Sequence, residues 1–154
     1  MKKSAWLFAT IFVLFTMVGC EDSNNPAKSG VCFEECEKLL YARPPKYKEA
    51  VEKFTEAIKY DKSNFEAYYL RGCAKMNIGI NKLQVNTKEA IADFNEAIAD
   101  FKKATELKPD YADAYFNIGL CYYYMHDEEK TCEYYKLAEK YGRPNLEDKL
   151  RRCD

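Results

Sequence analysis

Seven cysteines and a single histidine are the residues of this 154-residue chain with the plainest capacity for chemistry. Cys32 and Cys36 stand one helical turn apart, so two thiols could share a face. A reactive pair would need an activating base beside it, and none is identifiable in the adjoining sequence. No two cysteines have two-residue spacing, which excludes the zinc-finger, haem-attachment and dithiol redox signatures. His126 lies among Asp127, Glu128 and Glu129. One imidazole with carboxylates is a weak metal set, and the pattern reads as a solvated turn. No Gly-rich phosphate loop, nucleophile elbow or paired-carboxylate cleft stands out. These absences move the expectation from catalysis, metal ions and cofactors towards binding, and towards the elements that would build a binding surface.

The amino-terminal end carries its own chemistry. Lys2 and Lys3 precede a largely apolar run from Ala5 to Val18, which stops at Gly19-Cys20. That order is an export signal, and the run is shorter than the roughly 18 apolar residues of a spanning helix. Met17-Val18-Gly19-Cys20 resembles a bacterial lipoprotein box. The resemblance implies a signal peptide over residues 1–19, a covalent lipid on Cys20, and anchorage to a membrane of the bacterial cell envelope. Residues 21–30 are polar, small or Pro, without periodicity, so 20–30 reads as the lipidated Cys and a flexible tether. The folded domain is expected over 31–154. Removing residues 1–19 takes Lys2 and Lys3 away and shifts the formal net charge from −1 to −3. No global basic field remains to attract nucleic acid.

From Val31 onward apolar residues recur at helical spacing, and no strand is needed. Helices are expected over Val31–Ala42, Tyr47–Tyr60, Asn64–Gly79, Thr87–Lys108, Tyr111–Met125 and Glu128–Tyr141, with a short capping helix over Asn145–Arg152. Pro44-Pro45 stops the first. Ser63 with Glu66, Asn86 with Glu89, and Asp127 supply starts, and Gly142 supplies a stop. A loop is expected over Ile80–Asn86. Glu-Ala-Ile-Ala-Asp-Phe occurs at 89–94 and again at 96–101, so the fourth helix is lengthened by a heptad. Seven residues fall only about 20° short of two full turns, so the buried stripe is not rotated. Ala90, Phe94, Ala97, Phe101 and Ala104 should share that stripe.

Ala67-Tyr68-Tyr69-Leu70-Arg71-Gly72-Cys73-Ala74 and Ala114-Tyr115-Phe116-Asn117-Ile118-Gly119-Leu120-Cys121 set small residues and aromatics at matching positions. Both stretches resemble the first helix of a tetratricopeptide repeat, a helix-turn-helix unit of about 34 residues. Ala50, Phe54 and Ala57 match the second helix of that unit. The resemblance implies an all-α solenoid of about three repeats plus a C-terminal capping helix, acting as a non-enzymatic scaffold for a protein or peptide. Position by position, it assigns the groove to Glu66, Tyr69, Cys73, Met76 and Asn77 from one repeat. The next contributes Asp113, Phe116, Leu120, Tyr123 and Tyr124, and a looser first repeat adds Glu35, Leu39 and Arg43. It places Arg71 where Leu is usual, with the stem packed and the guanidinium in solvent. It also sets Cys121 and Cys132 on facing helices, where a disulfide is geometrically possible. The face mixes Asn77 and Arg43 with Glu35, Glu66 and Asp113, so a cationic clamp for a terminal carboxylate is not expected.

Two other functions fit the same residues. An accessory or assembly subunit would form a homodimer through the Ala and Phe stripe of helix 87–108. An exported thiol enzyme would use Cys32 and Cys36. The sole tryptophan, Trp6, lies in the expected leader. The mature protein should therefore show tyrosine-only fluorescence, and its amino-terminal peptide should carry an acyl mass on Cys20. Tryptophan emission or an unmodified Cys20 in native protein would overturn the lipoprotein assignment.

Overall fold

The computed structural model describes residues 38–42 and 45–153. The helix expected over Val31–Ala42 lies mostly outside them, although 38–40 are helical. Next come α1 (Tyr47–Tyr60), α2 (Phe65–Lys82), α3 (Thr87–Leu107), α4 (Ala112–Tyr124), α5 (Glu128–Lys140) and α6 (Glu147–Leu150). No strand occurs among the described residues. Each helix packs on its neighbour in sequence. In addition α2 meets α4, whereas α1 does not meet α3 and α3 does not meet α5. Stacked hairpins whose first helices touch while their second helices stand apart must curve, with α2 and α4 on the inside.

Local chemistry sets the helix ends. Asn64, not Ser63, caps α2, its Oδ1 accepting from the Ala67 amide at 2.9 Å. Ser63 is drawn instead to Asp61, whose Oδ1 accepts from its hydroxyl at 2.6 Å and its amide at 2.8 Å. Asn86 caps α3 by accepting from the Glu89 amide and donating to the Glu89 carboxylate at 2.8 Å. Asp127 caps α5 by accepting from the Lys130 amide at 3.1 Å. Gly142, at φ 93°, ends α5, and the Arg143 amide then returns to the Ala138 carbonyl at 2.9 Å.

The expected 80–86 loop is mostly helix at its start, since α2 runs on to Lys82 and leaves only 83–86 as the turn. The reason lies in the duplicated heptad of α3, which has a partner on α2. Gly72 sits against Phe101, where an added Cβ would come 2.7 Å from the ring. Gly79 sits against Phe94, where it would come 2.8 Å from the ring and 3.2 Å from the Ala90 carbonyl oxygen. Lys75 reaches Glu96 and Asp100, and Lys82 reaches Glu89 and Asp93. Seven residues forward on α2 thus answer seven residues back on α3. The insertion lengthens both arms of one antiparallel hairpin, by about 10 Å at 1.5 Å per residue. Phe94 and Phe101 are completely buried, and each contributes about 1.5–3 kcal/mol by that burial.

The stripe Ala90, Phe94, Ala97, Phe101 and Ala104 is fully buried in a core cluster shared with Met76, Ala114, Ile118 and Cys121. The homodimer surface expected on helix 87–108 is therefore already occupied by the chain's own α2 and α4. Arg71 also differs from expectation. Its Nε and Nη2 donate to the two Asp100 oxygens at 2.9 and 2.6 Å, and its Nη1 donates to Thr55 Oγ1 at 3.1 Å. Asp100 is 5% exposed and also pairs with Lys75 at 3.0 Å. A carboxylate so deeply placed needs cations, and the forked geometry of Arg meets both of its oxygens. Arg71 therefore points inward as the tie among α1, α2 and α3.

Gly79→Ala should destabilise the protein by about 1–3 kcal/mol through overpacking. Phe94→Leu in the same chain should recover only part of the loss, because the Ala90 carbonyl remains in place. Denaturant titration of the two single variants and the double variant measures this coupling.

Candidate partner-binding face

The inner face is built on α2 and α4, which run side by side. Tyr69 and Cys73 of α2 face Asn117 of α4, whose Nδ2 donates to Tyr69 Oη at 3.2 Å and to Cys73 Sγ at 3.5 Å. The Tyr69 ring packs on Phe101 at 5.7 Å and on Tyr111, just before α4, at 4.9 Å. Phe65 meets the same Tyr111 edge-on at 5.2 Å. These contacts fix the spacing of the two inner helices.

The expected groove residues do not share one environment. Glu66 is exposed, Tyr69, Cys73 and Asn77 are half-buried, and Tyr123 is 52% exposed. Asn77 donates its side-chain amide to the Cys73 carbonyl at 2.8 Å. Met76, at 7% exposure, lies in the core, because its turn of α2 faces the lengthened α3 and not the hollow. Tyr124 is stacked on Phe94 at 5.6 Å, where it covers the inserted heptad. Asp113 and Phe116 are held by the chain itself. Arg143 pairs with the Asp113 carboxylate and lies 4.4 Å over the Phe116 ring, while Tyr135 stacks on that ring at 5.3 Å. Leu120, Tyr123 and Tyr124 border an open pocket of about 490 Å³ that His126, Cys132, Tyr135 and Lys149 also line. Of the looser first repeat, Leu39 packs against the α1–α2 core, and Glu35 and Arg43 lie outside the described residues, as do Cys20, Cys32 and Cys36.

The disulfide that the facing positions of Cys121 and Cys132 made possible does not form, and Cys132 bridges Cys153 instead, with Cα atoms 5.4 Å apart. Cys121 is buried and free, on the side of α4 that meets Phe94 and Phe101. It is Gly119 that faces α5, against Tyr135. Cys132 looks towards the C-terminal segment, which the bridge fastens to α5. Leu146, at 2% exposure, anchors that segment as well. Closing a loop of this size is worth about 3 kcal/mol.

Arg143, Tyr111 and Asn117 shape the face more than the sequence-level assignment allowed. Arg143 joins Asp113 across 30 positions of sequence, and nothing local announces such a pair. Among the described residues no group of three or more His, Cys, Asp or Glu is placed to hold a metal ion. None of the described helices is long and apolar enough to cross a membrane.

Burial pushes the Cys73 thiol from 9.0 up to about 12 and the Tyr135 phenol from 10.0 up to about 12. It also raises Tyr69, Tyr111 and Cys121. Raised values mean that the fold favours the protonated groups, so their contribution is complete below the unfolded-state values and lost as pH climbs through the folded ones. Stability measured by denaturant midpoint should therefore show no loss from these groups up to about pH 8.5 and fall steadily above about pH 9.

Comparison with known proteins agrees with this geometry. The TPR repeat family model matches residues 46–79 and 89–125. The matched segments leave out 80–88, the far end of the lengthened hairpin. Hsp70-Hsp90 organizing protein 3 of Arabidopsis thaliana is 29% identical over 115 residues, covering 73% of this chain. The match spans 18% of that relative's length. The first TPR of Spaghetti (RPAP3), solved bound to the HSP90 peptide SRMEEVD, superposes with TM-score 0.68 at 21% identity, covering 84% of this chain and 93% of the other. A mutant of MamA gives TM-score 0.59 at 25% identity, covering 75% of this chain and 74% of the other. The TPR2AB domain of yeast Sti1, in its HSP90 complex, gives TM-score 0.64 at 22% identity, covering 84% and 45%. The TPR repeat model thus accounts for α1 to α4, and the stacked helical hairpins have a TPR-like fold.

Proposed function

We propose that this chain is a lipid-anchored scaffold that holds a protein or peptide partner against the inner face of α2 and α4. The observation that carries the reading is the combination of curvature and chemistry. The two inner helices touch while the outer ones diverge, and the inner pair presents Tyr69, Tyr123 and polar groups along its length. Aromatic side chains on a preorganised concave surface give contact area with little ordering entropy. Relatives with the same fold are described in complexes with HSP90 or its peptide, and peptide capture is the use this scaffold suits.

Anchorage is the second half of the proposal, and it rests on the signal layout and the Met17–Cys20 box. A lipid on Cys20 and a short polar tether would confine the domain near a membrane of the bacterial envelope and raise its local concentration around a partner there.

A photoreactive phenylalanine analogue at position 123, in the native envelope, should crosslink a partner that the same analogue at exposed Ala99 of α3 does not. Tyr123→Ala should reduce capture about tenfold, as for an aromatic anchor worth about 1.4 kcal/mol. It should change folding stability by no more than about 0.5 kcal/mol, being half in solvent. Equal crosslinking from both positions would overturn the inner-face assignment.

A further inference from the structure

The inner face carries one arrangement twice. Glu66 and Tyr69 on α2 correspond to Asp113 and Phe116 on α4, each pair 47 positions apart. In both cases an acid is followed three residues later by an aromatic on the same helical face. On α4 the arrangement is filled. The Arg143 guanidinium pairs with Asp113 and lies 4.4 Å over Phe116, and Lys149 reaches the same ring at 6.0 Å. The chain thereby displays what an acid and an aromatic so placed will hold.

On α2 the corresponding acid meets no cation among the described residues. Glu66 is exposed and has no ion-pair partner among the described residues. The Tyr111 ring lies against Tyr69 at 4.9 Å, as Arg143 lies on Phe116. Tyr111 feels the charges of both Glu66 and Asp113. Lys108 lies 4.8 Å over Phe65 and 5.2 Å over Tyr111 and makes no ion pair with Glu66. Two carboxylates therefore border the face, and among the described residues Asp113 is answered by a cation and Glu66 is not.

The geometry points to a basic partner: the inner face takes an extended peptide segment whose arginine side chain pairs with Glu66 and stacks at the Tyr69–Tyr111 edge. This assignment rests on the inner face being the partner site and adds the chemistry of what it selects. The charge is opposite to that of an acidic peptide such as SRMEEVD, for which a row of inward cations would be needed. A guanidinium suits the place because it ion-pairs through its edge and stacks through its face at once.

The test uses the purified full chain and three fluorescein-labelled, carboxy-amidated heptapeptides, read by polarisation at low salt. One has arginine at alternate positions among leucine and alanine, the second has citrulline at each arginine position, and the third has glutamate there. Citrulline keeps the shape and removes the charge. The arginine peptide should bind at least tenfold more tightly than the other two and weaken as salt is raised. Glu66→Gln, which disturbs no contact, should weaken it at least fivefold. Arg143→Ala, which vacates the Asp113–Phe116 place while the Cys132–Cys153 bridge still tethers the segment, should tighten it at least threefold. Equal binding of the three peptides, no detectable binding of any, indifference to Glu66→Gln, or no gain with Arg143→Ala would each overturn the assignment. Equal binding of the peptides leaves the inner face as a partner site and removes only its preference for base, whereas the crosslinking comparison at position 123 judges the wider reading independently.

Discussion

Two phenylalanine rings lying directly on the backbone of α2 set the geometry on which everything else depends. Phe101 meets Gly72 and Phe94 meets Gly79, so each ring fills the space a side chain on α2 would take. A methyl group at either glycine would push the arms apart. Tyr124 of α4 stacks on Phe94 from the other side, and Tyr69 of α2 packs beside Phe101. The ring that spaces α2 from α3 thus also supports the inner-face tyrosine. Packing inside the hairpin and the shape of the inner face are consequently one structural problem.

Polar groups give that apolar contact its register. Asp100 is buried with Arg71 and Lys75 around it, and one heptad away Asp93 meets Lys82. Sliding the helices by a turn would strand a carboxylate in the core, at a penalty of about 3–5 kcal/mol. At the C-terminal end the Arg143–Asp113 pair, buried Leu146 and the Cys132–Cys153 bridge hold the segment after α5 against the α4–α5 hairpin. That short segment, with one aliphatic anchor and a covalent tie, covers part of the end of the α4–α5 hairpin.

Much of this is legible in the residues. The α1 boundaries at Tyr47 and Tyr60, the Asn86 and Asp127 caps and the stop at Gly142 follow from rules that act over three or four positions. The buried face of α3 follows from its period. The second half of the heptad insertion is harder to see. Gly72 and Lys75 recur as Gly79 and Lys82 at the same seven-residue interval as the copies in α3, but two residue types in seven make a faint signal beside six in six. Arg71 reads locally as a surface residue, because its partner Asp100 lies 29 positions away. Of the groove positions, Met76 and Tyr124 are drawn inward by the lengthened hairpin, which a standard repeat does not have. The cysteine pairing escapes the sequence for a geometric reason: residues 119 and 121 point to nearly opposite sides of α4, and the glycine, not the thiol, faces α5.

The doubled heptad makes the α2–α3 hairpin a ruler graduated in sevens. Because each graduation carries its own glycine, phenylalanine, lysine and acid, whole units can be added to or deleted from both arms together while every surviving contact keeps its counterpart. A change to one arm alone has no such freedom, since it would set a ring against a side chain and an acid against nothing. Length in this protein is therefore variable only in matched steps, and the distance by which the hairpin projects beyond its neighbours is quantised.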